Sequence, residues 1–275
     1  MKRTTRLIAL LAALALIVAA CGDDSADGDG AAGETDLGGR TVTVGVENAY
    51  LPFNYIPLGS TEGEGWDYDY WTELCKVINC VPEFVESAWP AVIDQVASGE
   101  LDTAADGISI TDDRKEIVDY SDSYMTVIQK FVVQFDDDRY SSSDDIIDSE
   151  AIVATQVGTT NYELAAGLVG EDRIQAFDQF ALAIQALIAG DVDVVIIDDA
   201  AGLGYIGENA ELIKTIDDPL QSDPLGFIFP QGSDLIEAVN YGIAELKDNG
   251  VFEALGIKFF GKDFILGYED IEEVG

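Results

Sequence analysis

The apolar positions of this chain fall into two alternating sets of predicted strands and helices. In the first set, residues 41–46 (TVTVGV) predict a β-branched strand, and residues 68–78 carry apolar side chains at helical spacing. A short strand at 83–85, a helix beginning at Pro90 and a strand that becomes a loop over 101–110 follow. Such alternation is typical of a parallel sheet flanked by helices.

The second set begins after a long extended run at residues 127–135 (VIQKFVVQF). Predicted strands at 151–156 and 192–197 alternate there with predicted helices at 160–168 and 181–189. Because the two sets are separated by the extended run, we expect an α/β fold with two lobes.

The chain returns to an extended segment near Gly226, and two helices follow it. This return predicts that two crossing strands join the lobes. We expect the first lobe to hold residues 40–127 and 225–275, and the second lobe to hold residues 133–222.

The first twenty residues have the pattern of a targeting segment. Cations come first, residues 7–20 are wholly apolar, and small residues precede Cys21. The apolar stretch is too short to span a bilayer comfortably. We predict a signal peptide at 1–20 and lipidation of Cys21, which is placed as in a bacterial lipobox. An uncleaved anchor helix and an ordinary secretory peptide are the alternatives, and both also export the chain.

Residues 21–39 consist largely of Gly, Asp, Ala and Ser, and this composition predicts a flexible acidic tether.

Acidic residues outnumber basic ones by 53 to 14, and the chain has no histidine. Binding to nucleic acid needs clustered cations, so we expect no nucleic-acid partner. The absence of histidine excludes histidine-based catalysis and most zinc chemistry. No nucleophile or cofactor motif is visible, so we predict neither an enzyme nor a cofactor nor a metal site. The acidity is typical of a solvated surface in salty water. It could also produce an electrostatic field that attracts cationic solutes, and both interpretations can hold together.

Cys75 and Cys80 form a close pair in a chain that is expected to be exported. Export favours a disulfide between them, and a buried pair of free thiols is the alternative.

Charged residues follow several predicted strands, at the sheet edge where α/β proteins bind ligands. Arg114 follows the strand that ends near Ala105, and its guanidinium could clamp a carboxylate with two hydrogen bonds. A surface arginine paired with Asp112, Asp113 or Glu116 is the alternative.

Two further polar segments follow strands of the second set. Gly158-Thr159-Thr160 opens a helix whose backbone N–H groups could bind an anion, and simple capping by threonine is the alternative. Asp198 and Asp199 end a strand, where a carboxylate could accept hydrogen bonds from an ammonium group or cap the next helix.

Seven short segments follow one another in an order that is itself informative. They are Val44-Gly45, Tyr50-Leu51-Pro52-Phe53, Gly65-Trp66-Asp67-Tyr68-Asp69, 109–114 (SITDDR), 120–124 (YSDSY), 156–160 (QVGTT) and 187–194 (LIAGDVDV). Together they resemble the family 3 solute-binding proteins, the polar amino acid receptors of ABC importers. The resemblance extends over residues 41–261.

The resemblance implies a periplasmic-binding-protein-like fold of type II, in which two lobes close on a ligand like a hinged clamp. It implies that Arg114 grips the α-carboxylate of an amino acid, helped by the Ser109 hydroxyl and the Thr160 backbone N–H. Asp198 would hold the α-ammonium group. The protein would act outside the cytoplasm, in the periplasm or at the cell surface, as a monomer that delivers its ligand to an ABC importer permease.

The resemblance also bears on specificity. Tyr50 and Trp89, which could otherwise be core residues, would flank the ligand side chain. Glu47 lies where receptors for basic amino acids carry an acid, and Asp106 takes a position that is usually small. These carboxylates suit arginine, lysine or ornithine, unless Glu47 pairs with a local cation and Asp106 faces away. A glutamine or histidine pocket is a further alternative.

Some relatives in the family are cyclohexadienyl dehydratases. An enzyme of that kind, with Glu47 or Asp106 as its general acid, is therefore the alternative to a binding protein.

Overall fold

The computed structural model describes residues 35–261, and the predicted signal peptide and the predicted lipidation site Cys21 lie outside them. Within this range, no helix combines the length and the apolar character needed to cross a bilayer.

The strands are β1 (Arg40–Val46), β2 (Ala49–Tyr50), β3 (Asn54–Tyr55), β4 (Cys80–Glu86), β5 (Thr103–Ala104), β6 (Asp119–Tyr120), β7 (Met125–Gln134), β8 (Val153–Gln156), β9 (Ile174–Phe177), β10 (Val194–Asp198), β11 (Ile213–Thr215), β12 (Gln221–Leu225) and β13 (Ile228–Phe229). The helices are α1 (Trp66–Ile78), α2 (Ala91–Ala97), α3 (Asp112–Lys115), α4 (Ser143–Ile147), α5 (Thr160–Val169), α6 (Phe180–Ala189), α7 (Asp199–Glu208), α8 (Ile236–Asp248) and α9 (Val251–Phe260), with a 3₁₀ turn at Glu171–Arg173.

The first sheet has the strand order β4-β1-β5-β13-β6, and β1 runs parallel to β4 and β5. Side chains of β1 alternate between its two faces. Val42, Val44 and Val46 are fully buried in the same core as side chains of α1, α8 and α9. On the other face, a Cβ atom at Gly45 would lie 2.6 Å from Cγ2 of Val92 on α2. Glycine at this position therefore allows α2 to pack directly on the sheet.

The second sheet is built around β7 and β10. Its strand order is β11-β7-β10-β8-β9, and β12 also pairs with β7. All residues of β10 are buried, with parallel β8 on one side and antiparallel β7 on the other. Because both faces of this strand are covered, its sequence from Val194 to Ile197 is a continuous apolar run and not an alternating one.

Two extended segments connect the sheets. The chain passes from β6 into β7, and it returns from β12 to β13. β7 and β12 pair antiparallel, with Met125 opposite Leu225 and Gln129 opposite Gln221. This topology confirms the predicted α/β fold of two lobes joined by two crossing strands. The residue boundaries that we assign to the lobes stay a prediction.

A disulfide joins Cys75, near the end of α1, to Cys80, the first residue of β4. Asn79 between them adopts a left-handed backbone conformation (φ 54°), which turns the chain from the helix into the strand. The structure therefore contains the predicted disulfide and not the alternative pair of free thiols.

Candidate functional site

A cavity lies between the two lobes and is lined by residues of both. All eight residues that the sequence analysis assigned to ligand binding line it. The full lining consists of Glu47, Tyr50, Trp89, Asp106, Gly107, Ser109, Arg114, Gln156, Thr159, Thr160, Asn161, Phe180 and Asp198.

The position of the cavity follows from the direction of the strands. Glu47 directly follows β1, Asp106 follows β5, and Asp198 is the last residue of β10. Because carboxyl ends of parallel strands meet at one sheet edge, each lobe presents its polar loops along one edge. Gly107 has a φ of 57° beside Tyr50, so the chain turns after β5 and carries Ser109 into the cavity.

Arg114 lies on α3 and makes its contacts without a carboxylate. Its Nη1 donates to the carbonyl oxygen of Ser109 at 3.0 Å, and its Nη2 reaches across to the carbonyl oxygen of Gly158 at 3.3 Å. The guanidinium lies 5.1 Å from the centre of the Trp89 ring, in cation–π geometry. The remaining guanidinium donors can therefore bind an anion from the cavity.

The alternative of a surface arginine paired with nearby acids is wrong for Arg114. Asp112 forms its ion pair with Lys115 instead, at 3.4 Å. Within residues 35–261, no carboxylate forms an ion pair with Arg114.

The structure separates the roles of the adjacent acids Asp198 and Asp199. Asp199 Oδ1 accepts hydrogen bonds from the backbone N–H groups of Ile128 and Ala200, at 3.0 and 2.8 Å. Asp198 lines the cavity, is 3 % exposed and makes no capping hydrogen bond. Of the two acids, Asp198 is therefore the one whose carboxylate lines the cavity.

Two polar side chains hold the Asp198 carboxylate in place. The Tyr50 hydroxyl donates to its Oδ2 at 2.7 Å, and Asn161 Nδ2 donates to its Oδ1 at 3.0 Å. Burial raises the pKa of Asp198 to about 7, with a smaller contribution from the charge of Asp223, although both hydrogen bonds lower it. A bound cation would reverse this shift and hold the carboxylate in its ionised form.

A second pair of acids, Glu47 and Asp106, lines the same cavity. Burial, helped by the charge of Asp106, raises the pKa of Glu47 to about 8. Burial raises the pKa of Asp106 to about 7. Gln156 Nε2 donates to Glu47 Oε1 at 2.7 Å, and Asn54 Nδ2 donates to Asp106 Oδ1 at 2.8 Å. Glu47 therefore pairs with an amide and not with a local cation, and Asp106 does not face away, so both of those alternatives are wrong.

Ser109 and Thr160 meet across the cavity, with their hydroxyl oxygens 3.2 Å apart. Thr159 caps α5 by accepting a hydrogen bond from the Tyr162 N–H at 3.1 Å. Capping is thus the role of Thr159, while Thr160, the first residue of α5, also accepts from Gln129 Nε2 at 3.0 Å.

Five lining residues were not predicted as ligand contacts from the sequence: Gly107, Gln156, Thr159, Asn161 and Phe180. Asn161 directly follows Thr160 at the start of α5, so the helix-start motif could have suggested it. Phe180 is the first residue of α6, and its ring centre is 5.5 Å from that of Tyr50. Nothing in the local sequence distinguishes Phe180 from an ordinary core aromatic.

Residues 42–262 match the family model described as bacterial extracellular solute-binding proteins, family 3. The chain belongs to this family. Proteins of this family act outside the cytoplasm. The match confirms the resemblance to family 3 that the sequence motifs indicate.

Three known proteins are similar to this chain. The L-cystine-binding protein TcyA of Bacillus subtilis (strain 168) is 27% identical over 96% of this chain and 99% of that protein. The arginine-, lysine-, histidine-binding protein ArtJ from Geobacillus stearothermophilus is 30% identical, with a TM-score of 0.76 over 82% of this chain and 98% of that chain. The ancestral amino acid-binding protein AncCDT-1, a precursor of cyclohexadienyl dehydratase, is 30% identical, with a TM-score of 0.74 over 80% of this chain and 95% of that chain. These likenesses support the two-lobed binding-protein fold of type II.

The part of this family 3 protein that the structure describes contains no cluster of acidic or cysteine side chains arranged to hold a metal ion.

We predict that the ligand-free protein becomes less stable as the pH rises from about 5 to about 8. Glu47 and Asp106 have pKa values of about 8 and about 7 in the fold, above their ordinary values of 4.5 and 3.8. Between those limits the folded state binds more protons than the unfolded state, so each rise in pH lowers the free energy of unfolding. Urea unfolding at a series of pH values measures this slope.

The variant Glu47→Gln should make the slope shallower, because it removes one of the responsible groups. Glu86→Gln is the matched control, since Glu86 is exposed at the end of β4 and does not line the cavity. A Glu47→Gln slope equal to that of the unmodified protein would contradict the prediction.

Proposed function

We propose that this protein binds an amino acid with a cationic side chain, such as arginine, lysine or ornithine, and delivers it to the permease of an ABC importer. One observation carries the proposal. Arg114 is the only cation among the described residues that line the cavity, and it shares that cavity with the carboxylates of Glu47, Asp106 and Asp198.

The charges of the cavity match those of such a ligand. The α-carboxylate binds the Arg114 guanidinium, and the α-ammonium group binds the carboxylate of Asp198. The side-chain cation then lies near Glu47 and Asp106, whose buried carboxylates have no cationic partner among the described side chains. A buried carboxylate without a counter-charge is unfavourable, so a ligand that supplies the charge gains affinity.

Aromatic rings support binding of a long side chain. Tyr50, Trp89 and Phe180 all line the cavity. The methylene groups of arginine, lysine or ornithine can pack against such rings while the charged end contacts the acids.

Cystine fits this lining less well than a cationic amino acid, although TcyA, which is named for binding L-cystine, is a relative. Cystine carries two ammonium groups and two carboxylates, so it brings a second anion together with its second cation. Arg114 alone among the described lining residues could pair with one carboxylate, and the second carboxylate would face Glu47, Asp106 or Asp198. Like charges at short distance disfavour that arrangement.

An enzyme of the cyclohexadienyl dehydratase type is the second candidate function. Its supporting observation is the raised pKa of Glu47, about 8, because a general acid must hold a proton at working pH. We favour binding, since the charges of the cavity are complementary to a zwitterion with an added cation. Incubation with prephenate and arogenate decides between them, and formation of an aromatic product would establish the enzyme.

We also propose that the chain is exported through residues 1–20 and anchored by acylation of Cys21, which follows the small residues Ala19 and Ala20. Release of a Cys21→Ala variant into the medium, with the unmodified protein retained on cells, would support the anchor. Retention of the variant would oppose it.

Arg114→Ala should weaken binding of arginine by about 2–5 kcal/mol, because the ligand carboxylate is then buried without a partner. Isothermal titration calorimetry measures the change. Arg139→Ala is the control, since Arg139 pairs with Asp137 and Asp193 at 2.7 Å outside the cavity. Equal affinities of the Arg114 variant and the unmodified protein would defeat the assignment of Arg114.

Glu47→Gln should weaken binding of arginine and lysine and leave binding of glutamine nearly unchanged, because only the cationic side chains need the carboxylate. Calorimetry with the three ligands on the variant, on Glu86→Gln and on the unmodified protein gives the comparison. If the unmodified protein binds glutamine more tightly than arginine, the cationic assignment fails.

A further inference from the structure

A close contact between the lobes lies outside the cavity. Helix α7 of the second lobe packs against the turn that joins β2 to β3 in the first lobe. A Cβ atom at Gly204 of α7 would lie 3.0 Å from Cβ of Leu51 and 3.1 Å from both Leu51 C and Pro52 N. Backbone therefore meets backbone here, and the approach depends on the missing side chain.

A hydrogen bond accompanies this contact. The Tyr205 hydroxyl on α7 donates to the carbonyl oxygen of Ala49 at 2.8 Å, and Tyr205 is 4 % exposed. Neither Gly204 nor Tyr205 lines the cavity. We use the name closure seam for Gly204 and Tyr205 together with residues 49, 51 and 52, which they contact.

The closure seam and the cavity share one short segment of chain. Tyr50, which lies between two seam residues, lines the cavity and donates its hydroxyl proton to Asp198. Asn54, in β3 of the same hairpin, donates to Asp106. A change in how α7 meets this hairpin therefore reaches the ligand site without any direct contact to a ligand.

We propose that the closure seam sets how firmly the two lobes stay closed, and so how slowly a bound ligand leaves. The proposal rests on the proposed function, in which the lobes close on an amino acid. Apparent affinity decreases when the fraction of molecules in the closed state decreases. Gly204 and Tyr205 are accordingly positioning residues for ligand retention, and they do not act as ligand contacts.

Two alanine variants of the same helix provide a matched test. Gly204→Ala and Gly207→Ala both gain the helix propensity of alanine. A Cβ atom at Gly207 meets no atom within 4 Å, whereas one at Gly204 crowds the backbone of Leu51 and Pro52. Only Gly204→Ala should therefore oppose closure.

Release of arginine from the full-length protein in detergent can be followed by stopped-flow tryptophan fluorescence, since Trp89 lines the cavity. Gly204→Ala should release arginine roughly tenfold faster than Gly207→Ala, in keeping with the usual cost of overpacking, while the association rate changes little. Tyr205→Phe, which keeps the ring and loses the hydroxyl, should accelerate release in the same direction.

Hydrogen exchange without ligand provides a second measurement. Residues 106–114 and 156–162 include cavity-lining positions on both lobes and contain no seam residue. Their backbone amides should exchange faster in Gly204→Ala and Tyr205→Phe than in Gly207→Ala and the unmodified protein, because the cleft opens more often.

The proposal would be overturned if Gly204→Ala releases arginine, and exchanges its backbone amides, at the same rates as Gly207→Ala. Failure of the proposed function looks different, because then the unmodified protein itself binds no arginine, lysine or ornithine. In that case the exchange comparison alone decides on the closure seam: faster exchange in Gly204→Ala supports it, and equal exchange overturns it.

Discussion

The site depends on one electrostatic constraint: among the residues that the structure describes, three carboxylates and a single guanidinium line the same cavity. Taking a charge out of water is costly unless a partner compensates it. Arg114 contacts carbonyl oxygens and the Trp89 ring, and the acids contact only neutral donors. The described part of the protein therefore leaves these charges uncompensated, and a ligand of complementary charge would resolve the imbalance. Protonation of the acids is the other way to reduce it, which is why their pKa values are raised.

This constraint links ligand binding to the arrangement of the lobes. Contacts across the cavity are formed by residues of both lobes, such as Tyr50 with Asp198 and Glu47 with Gln156. Outside the cavity, Gly204 allows α7 to approach the backbone of the β2–β3 turn. In the closure proposed above, one motion would bury these charges and form the outer contact at the same time. Burial strengthens each electrostatic interaction inside, because less water screens it.

Much of the fold could be predicted because its signals are local. Strand and helix alternation needs only short windows of sequence, and the buried strand β10 appeared directly as an apolar run. The disulfide could be predicted from the spacing of Cys75 and Cys80 together with the predicted export of the chain. The strand predicted to begin near residue 101 is much shorter in the structure. Only Thr103–Ala104 form β5 before Gly107 turns the chain.

The sequence by itself determined the α/β class, the family and the set of polar residues at strand ends, because each depends on neighbours along the chain. Tertiary structure decided which of those residues face one another. It alone showed that Asp198 and not Asp199 enters the cavity, that Arg114 lies on Trp89, and that Glu47 meets Gln156 over a separation of 109 residues. The physical reason is that such contacts depend on the relative orientation of two lobes, which is fixed by packing between distant segments and by no local pattern.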